Sequence, residues 1–150
     1  MVGFDPATVF DNPKEARRAD RFQQLAMAAA AEALAGAGEL TAPPGRIGVM
    51  IGTGIGGLET LEAQTIVRYE KGPRRVSPFM VPMVMGNAPA AAVSMRHGFQ
   101  GPCETTVTAC AAGTHSINNA YHLMESNRCD VVVAGSTEAA MTVTGIAGLT

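Results

Sequence analysis

Cysteine, histidine and carboxylate side chains are the residues of this chain with the means to do covalent or acid–base chemistry. The cysteine in TTVTACAAGTHSI, residues 105–117, has the most telling surroundings. A β-branched run ends at Ala109, and small, helix-compatible residues follow Cys110. The pattern predicts a strand handing over to a helix over 110–126, with Cys110 on the hinge. A thiol reacts as its thiolate, and the unpaired N–H groups and positive dipole end of a helix N-terminus favour that form. Ala109, Ala111, Ala112 and Gly113 leave room for a substrate around the sulfur. The same N–H groups suit a developing oxyanion in acyl transfer. The alternative is a buried structural thiol, the commoner fate of a free cysteine. Cys103 and Cys129 lack the hinge setting and read as structural.

A base for Cys110 is not evident. His115 lies five residues on, about 500° around a helix and so roughly 140° away from the Cys110 direction. His97 and His122 have no partner in the sequence pattern. Metal chemistry is disfavoured, because there is no C-x₂-C pair and no histidine at ligand spacing. GTGIGG at 52–57 fits G-x-G-x-x-G between a strand and a helix, as a dinucleotide site requires. The acidic residue expected about twenty residues later is missing, with RRVSPFM in its place. A tight turn that lets backbone approach a ligand or helix is the alternative. Lys14, Arg17 and Arg18 fall at i, i+3 and i+4 and are expected on one helix face, with Arg74 and Arg75 as a second basic pair. They read either as a solvated face or as a dock for an acidic or phosphorylated partner. Glu138 follows an apolar strand and reads as a structural carboxylate held by local N–H groups.

The elements that would position these residues alternate between strand and helix. A helical pattern runs from Pro13 to about Ala35, with Phe22, Leu25, Ala26, Ala29 and Ala33 on one stripe. Buried strands are expected in RIGVMIGTG and CDVVVAGST, and a further strand in CETTVTA. LETLEAQTIVRYEKG reads as a helix closed by Gly72, and AAAVSMRHG as a short one. PRRVSPFMVPMVMGNAP, with four prolines, reads as a long apolar loop. Such alternation predicts an α/β class with one domain. Three strands are few for a layered sheet, and the chain stops at GIAGLT in mid-pattern, so a partial chain is expected.

The chain has 150 residues, 47% hydrophobic and 16% charged, enough for a real core and too apolar for disorder. A formal net charge of −2 gives no global reason to expect nucleic acid. No apolar run reaches bilayer length, and the first residues lack a signal-peptide layout. Three cysteines without a framework of spacings suggest reduced thiols and a cytoplasmic setting.

Several stretches together resemble the elongating, type II β-ketoacyl-acyl carrier protein synthases. They are DRF at 20–22, IGTGIGGLET at 51–60, KGPRRVSPFMVPM at 71–83, GP at 101–102, TVTACAAGTH at 106–115, DVVVAGSTEAA at 130–140 and GIAGL at 145–149. They occur in the family's order over nearly the whole chain. The resemblance implies a thiolase-like layered α/β fold, of which this chain covers most of the first half, working as a homodimer. It implies that Cys110 accepts the acyl group, and that malonyl-carrier protein then decarboxylates and attacks the thioester. The histidines for that second step would lie outside this chain. It further implies no metal and no cofactor beyond the phosphopantetheine of acyl carrier protein. Ile55 falls where the family sets acyl-chain depth. Met80 falls where one subunit commonly lines the other's pocket, and Leu149 where a pocket-lining residue is common. Met80 and Leu149 depart from the usual Phe, and Ser136 and Val143 from the usual Gly and Pro. Lys14, Arg17, Arg18, Arg74 and Arg75 match the positions that receive acyl carrier protein. Two other classes stay in view. One is a non-catalytic chain-length-factor-like subunit or polyketide ketosynthase, the other a dinucleotide-binding oxidoreductase on GTGIGG.

Overall fold

A computed structural model describes residues 4–150. Its centre is β1, Ile47–Gly52, in which all six residues are buried. A continuous apolar run of this kind belongs to a strand covered on both faces. Its side chains alternate. Val49 and Ile51 join Phe10, Met27, Ala30 and Val93 on one side, whereas Met50 joins Ala120, Leu123 and Cys129 on the other. The first side is covered by α2, Arg21–Ala37, and α5, Ala88–His97; the second by α6, Ala112–Glu125.

Two strands flank β1, both parallel to it, in the order β2-β1-β3. β3, Val131–Ser136, pairs along its whole length, from Ile47 opposite Val131 to Gly52 opposite Ser136. It is only half-buried, not the buried strand its composition predicts, because among the described residues its outer edge has no neighbour. β2 is shorter than CETTVTA suggests. Only Cys103–Glu104 pair in sequence, and contact with β1 resumes at a single bridge between Thr53 and Val107.

The long N-terminal helix is in fact two. α1, Pro13–Ala16, is capped by Asn12 and ends at Arg17. Asp20 then caps α2, and its carboxylate takes the Phe22 N–H. The buried stripe of α2 is Phe22, Ala26, Met27 and Ala30, so Ala29 and Ala33 of the expected stripe face out. α3, Leu58–Lys71, closes at Gly72 as read from sequence, with φ +84 and the Gly72 N–H donating to Arg68 O at 3.1 Å. The proline-rich loop holds a 3-10 turn, Pro73–Arg75, and a short helix α4, Met80–Val84. The final element is α7, Val143–Ala147, capped by Thr142.

Gly52 marks a tightly packed point on the central strand. A Cβ there would lie 2.6 Å from Ser116 Oγ, 2.7 Å from Ala112 O and 2.9 Å from Thr106 O. β1, α6 and the segment leading to Cys110 therefore meet at a position without room for a side chain.

Candidate active site

Cys110 is exposed and stands on a turn, not inside the first turn of α6 as its hinge pattern suggests. Beyond the Thr53–Val107 bridge the chain forms a 3-10 turn over Ala109–Ala111, and α6 begins only at Ala112. Ala109 has φ +50, a left-handed conformation costing a non-glycine residue about 1–2 kcal/mol. The surroundings hold that turn closely. The Ala111 N–H donates to Thr108 O at 3.1 Å, and the Ala112 N–H to Ala109 O. These two donors are engaged within the turn and withdrawn from the oxyanion role expected of them. His115 Nδ1 is hydrogen-bonded to Thr108 Oγ1 at 2.8 Å, so this histidine braces the approach to Cys110. Asn119 Nδ2 donates to Thr106 Oγ1 at 3.3 Å, a second tie from α6 to the same segment.

The other wall is the glycine turn between β1 and α3. Glu138, just past β3, accepts with Oε2 from the Gly54 N–H at 2.8 Å, the Ile55 N–H at 2.9 Å and Thr53 Oγ1 at 3.2 Å. The Gly56 N–H donates to Thr53 Oγ1, the Gly57 N–H to Val84 O and the Leu58 N–H to Gly56 O. Each backbone donor from residue 54 to 58 thus has an internal partner. A pyrophosphate would have to displace them, which argues against the dinucleotide reading. The glycines serve close approach instead. Gly56 has φ +91, a Cβ on it would lie 2.8 Å from Val84 O, and one on Gly57 would overlap Met83 O.

Between the two walls is a cleft of about 360 Å³ lined by Cys110, Ile55, Leu149, Glu138 and Gly113 among others. Ile55 and Leu149 are exposed apolar side chains at 60% and 86%, so the cleft offers an open apolar surface beside the thiol. Met80, on α4, lies outside this lining. None of the three histidines lines it either. His97 stacks on Phe99 with centroids 5.4 Å apart, its pKa lowered by desolvation and then by Arg96, and His122 contacts Glu125. Of the other cysteines, Cys129 is buried in the core under α6 and burial pushes its thiol up. Cys103 is exposed on β2 rather than buried, and desolvation still raises its thiol.

Lys14, Arg17, Arg18, Arg74 and Arg75 are all exposed. The first three do not share a helix face, because α1 ends at Ala16, Arg17 is its cap and Arg18 lies in the following turn. None of the five is in an ion pair among the described residues; the salt bridges belong to Arg46, Arg96 and His122. The Arg18 guanidinium sits over the Phe79 ring, 4.2 Å from its centroid, and so links the N-terminal basic segment to the loop that carries Arg74 and Arg75.

Sequence reasoning placed Glu138 as a structural carboxylate but expected its donors nearby. Only the Ala139 N–H, at 3.3 Å, is local; the others come from 83 to 85 residues away. In the sequence Asp20 stands out only as the first residue of DRF. Its side chain is buried and takes the Thr60 N–H at 2.9 Å as well as the Phe22 N–H. No single-sequence pattern reveals either of these long-range bonds.

The parallel α/β layer, with its cysteine on a strained turn before α6, matches solved ketosynthases and has their thiolase-like fold. A type II polyketide ketosynthase solved with its acyl-carrier protein superimposes with a TM-score of 0.87 at 21% identity, covering 99% of this chain and 43% of that one. Residues 1–150 match the family described as beta-ketoacyl synthase, N-terminal domain, and the chain belongs to that family. It is 44% identical over 146 residues to 3-oxoacyl-[acyl-carrier-protein] synthase 2 of Synechocystis sp., covering 95% of this chain and 35% of the relative. The protein of the same name from Staphylococcus aureus is 49% identical over 139 residues, covering 90% of this chain and 34% of the relative. The chain therefore spans about a third of the length of these curated relatives.

Proposed function

We propose that this chain is the N-terminal part of a condensing enzyme that elongates fatty acyl chains on acyl carrier protein, with Cys110 as the acyl acceptor. The observation that carries the reading is the placement of an exposed thiol on a strained turn, beside an open apolar cleft, in a member of the β-ketoacyl synthase family. The Cys110 thiolate attacks the carbonyl of an acyl thioester, and the tetrahedral oxyanion collapses with loss of the pantetheine thiolate. The acyl chain then lies along Ile55 and Leu149. In the second half-reaction malonyl thioester loses carbon dioxide. The resulting carbanion forms a carbon–carbon bond to the acyl carbonyl, and the Cys110 thiolate leaves. Residues beyond this chain supply the proton transfers of that half-reaction.

The carrier partner is supported by the five exposed cations Lys14, Arg17, Arg18, Arg74 and Arg75, outside any ion pair among the described residues, which suit an acidic protein. The substrate arrives on the carrier's phosphopantetheine, and the reading needs no further cofactor or metal. Met80, half-buried at the start of α4 and outside the cleft, is assigned to a pocket completed by a second subunit of a homodimer. The reading assigns the protein to the cytoplasm, the setting in which its three cysteines would stay reduced. The fatty-acid assignment rests on the 44% and 49% relatives in preference to the polyketide neighbour at 21%. The presence of Cys110 separates this reading from a non-catalytic chain-length factor.

The test is mass spectrometry of the full-length protein after incubation with acyl-acyl carrier protein. An acyl adduct on the peptide containing Cys110, absent in Cys110→Ala, is expected. An adduct that survives the substitution overturns the assignment.

A further inference from the structure

Glu138 has a position that neither its sequence setting nor the reaction accounts for. It stands at the end of β3, yet its Oε2 accepts three hydrogen bonds from Thr53, Gly54 and Ile55, on the turn after β1. Those residues form one wall of the Cys110 cleft, and Ile55 is the apolar side chain they present to it. A Cβ on Gly54 would lie 3.0 Å from the Glu138 carboxylate and 3.5 Å from Ala109 Cα, so the carboxylate, the turn and the cysteine segment are packed without slack. Glu138 also faces a second, larger cavity of about 540 Å³ bounded by Glu62, Ile66 and Met141. It is the residue common to the linings of both spaces.

We propose that Glu138 is a positioning residue that sets acyl-chain specificity by clamping the Ile55 turn and partitioning the Cys110 cleft from the larger cavity behind it. Three donors converging on one carboxylate oxygen fix Ile55 relative to the sulfur through charge-assisted bonds. Discrimination between chains differing by a few methylenes depends on where such a wall stands. Removing the clamp frees the turn to move and removes the partition, so longer chains gain relative to shorter ones. This inference rests on the acyltransferase reading above.

The experiment uses the full-length protein and its Glu138→Ala and Glu138→Gln variants, with saturated acyl-pantetheine thioesters of short, medium and long chain. In Glu138→Ala the ratio of long-chain to short-chain acylation of Cys110 rises by about tenfold. In Glu138→Gln, which keeps a carbonyl oxygen to accept from Gly54 and Ile55, it returns most of the way to the native value. The far-UV circular dichroism spectrum and the urea slope stay unchanged in both, reporting an intact fold. Amide exchange at Gly54 and Ile55 accelerates in Glu138→Ala and less in Glu138→Gln. An unchanged acylation ratio in Glu138→Ala overturns the specificity role, and unchanged amide exchange overturns the clamp. If the native protein does not acylate Cys110 at all, the acyltransferase reading fails, while amide exchange still decides the clamp.

Discussion

The Asp20 carboxylate and the Thr60 backbone N–H, forty residues apart, are joined by a buried 2.9 Å hydrogen bond. The same carboxylate accepts from the Phe22 N–H at 3.2 Å, so one side chain satisfies the open N-termini of both α2 and α3. Asp20→Ala removes a cap from α2 and leaves the Thr60 donor buried without a partner. The expected loss is about 2–3 kcal/mol, read as a lower urea midpoint at unchanged slope. Asp20→Asn, which keeps one strong acceptor, is expected to lose less. Equal midpoints for the Ala variant and the native protein would refute the double cap.

The glycine turn predicts a second stability effect of different origin. Gly56→Ala forces a side chain into φ +91 and toward Val84 O at 2.8 Å. A loss of about 2 kcal/mol or more in the urea midpoint is expected, with the backbone term alone about 1–2. Gly36→Ala, at a glycine in the last turn of α2 with open space around it, is expected to be neutral or stabilising by up to about 1 kcal/mol.

Thiol reactivity separates the three cysteines. Iodoacetamide is expected to label Cys110 first in the native state. Cys103 follows, because desolvation raises its thiol, and Cys129 reacts last, being buried as well. Peptide mapping after timed quenching gives the order; early labelling of Cys129 would contradict the packing under α6.

Stability should fall in acid through Asp130. Its carboxylate pKa is lowered, chiefly by the hydrogen-bonded Arg46 side chain, which also donates to Asn127. A group whose folded pKa lies below its unfolded one stabilises the protein above the unfolded value, and that contribution disappears as pH falls through the folded one. The unfolded value is about 3.9. The midpoint difference between native protein and Asp130→Asn is therefore expected at full size at neutral pH and gone in acid well below that value. Denaturation series at stepped pH check this, and a difference that grew in acid would reverse the sign of the argument.

Carrier docking predicts a split in kinetic effects. Arg18→Glu and Arg74→Glu are expected to raise KM for acyl-acyl carrier protein by about tenfold at low salt, less at high salt. With a small acyl-pantetheine thioester both variants should match the native protein. A loss seen equally with both substrates would place these residues in the fold instead of the docking surface.

Elements with strong local signals were legible in the sequence, and those set by distant contacts were not. β1 announced itself by its unbroken apolar run, α3 by its Gly72 stop, and Cys110 by the change of residue type around it. The α1–α2 break was hidden, because Lys14 to Asp20 carry helix-compatible residues and the stop depends on Asp20 turning its carboxylate to two helix ends. The half-burial of β3 was hidden as well, since composition reports apolarity and not whether a strand has one neighbour or two. The left-handed backbone at Ala109 carries no glycine to betray it. The glycine turn showed itself plainly, but its purpose was decided by Glu138, Val84 and Met83, which no spacing rule connects to it.

The missing side chain at Gly52 has a consequence for how error travels in this molecule. With Ser116, Ala112 and Thr106 all pressed to the bare backbone of the central strand, the cysteine turn has no compliant layer between it and the sheet. Changes on the outer faces of the helices have solvent to relax into. Changes within that contact have no such room, and they press on both Thr106 and Ala112, the residues that flank the cysteine turn. The segments on either side of Cys110 are thus seated directly on the central strand.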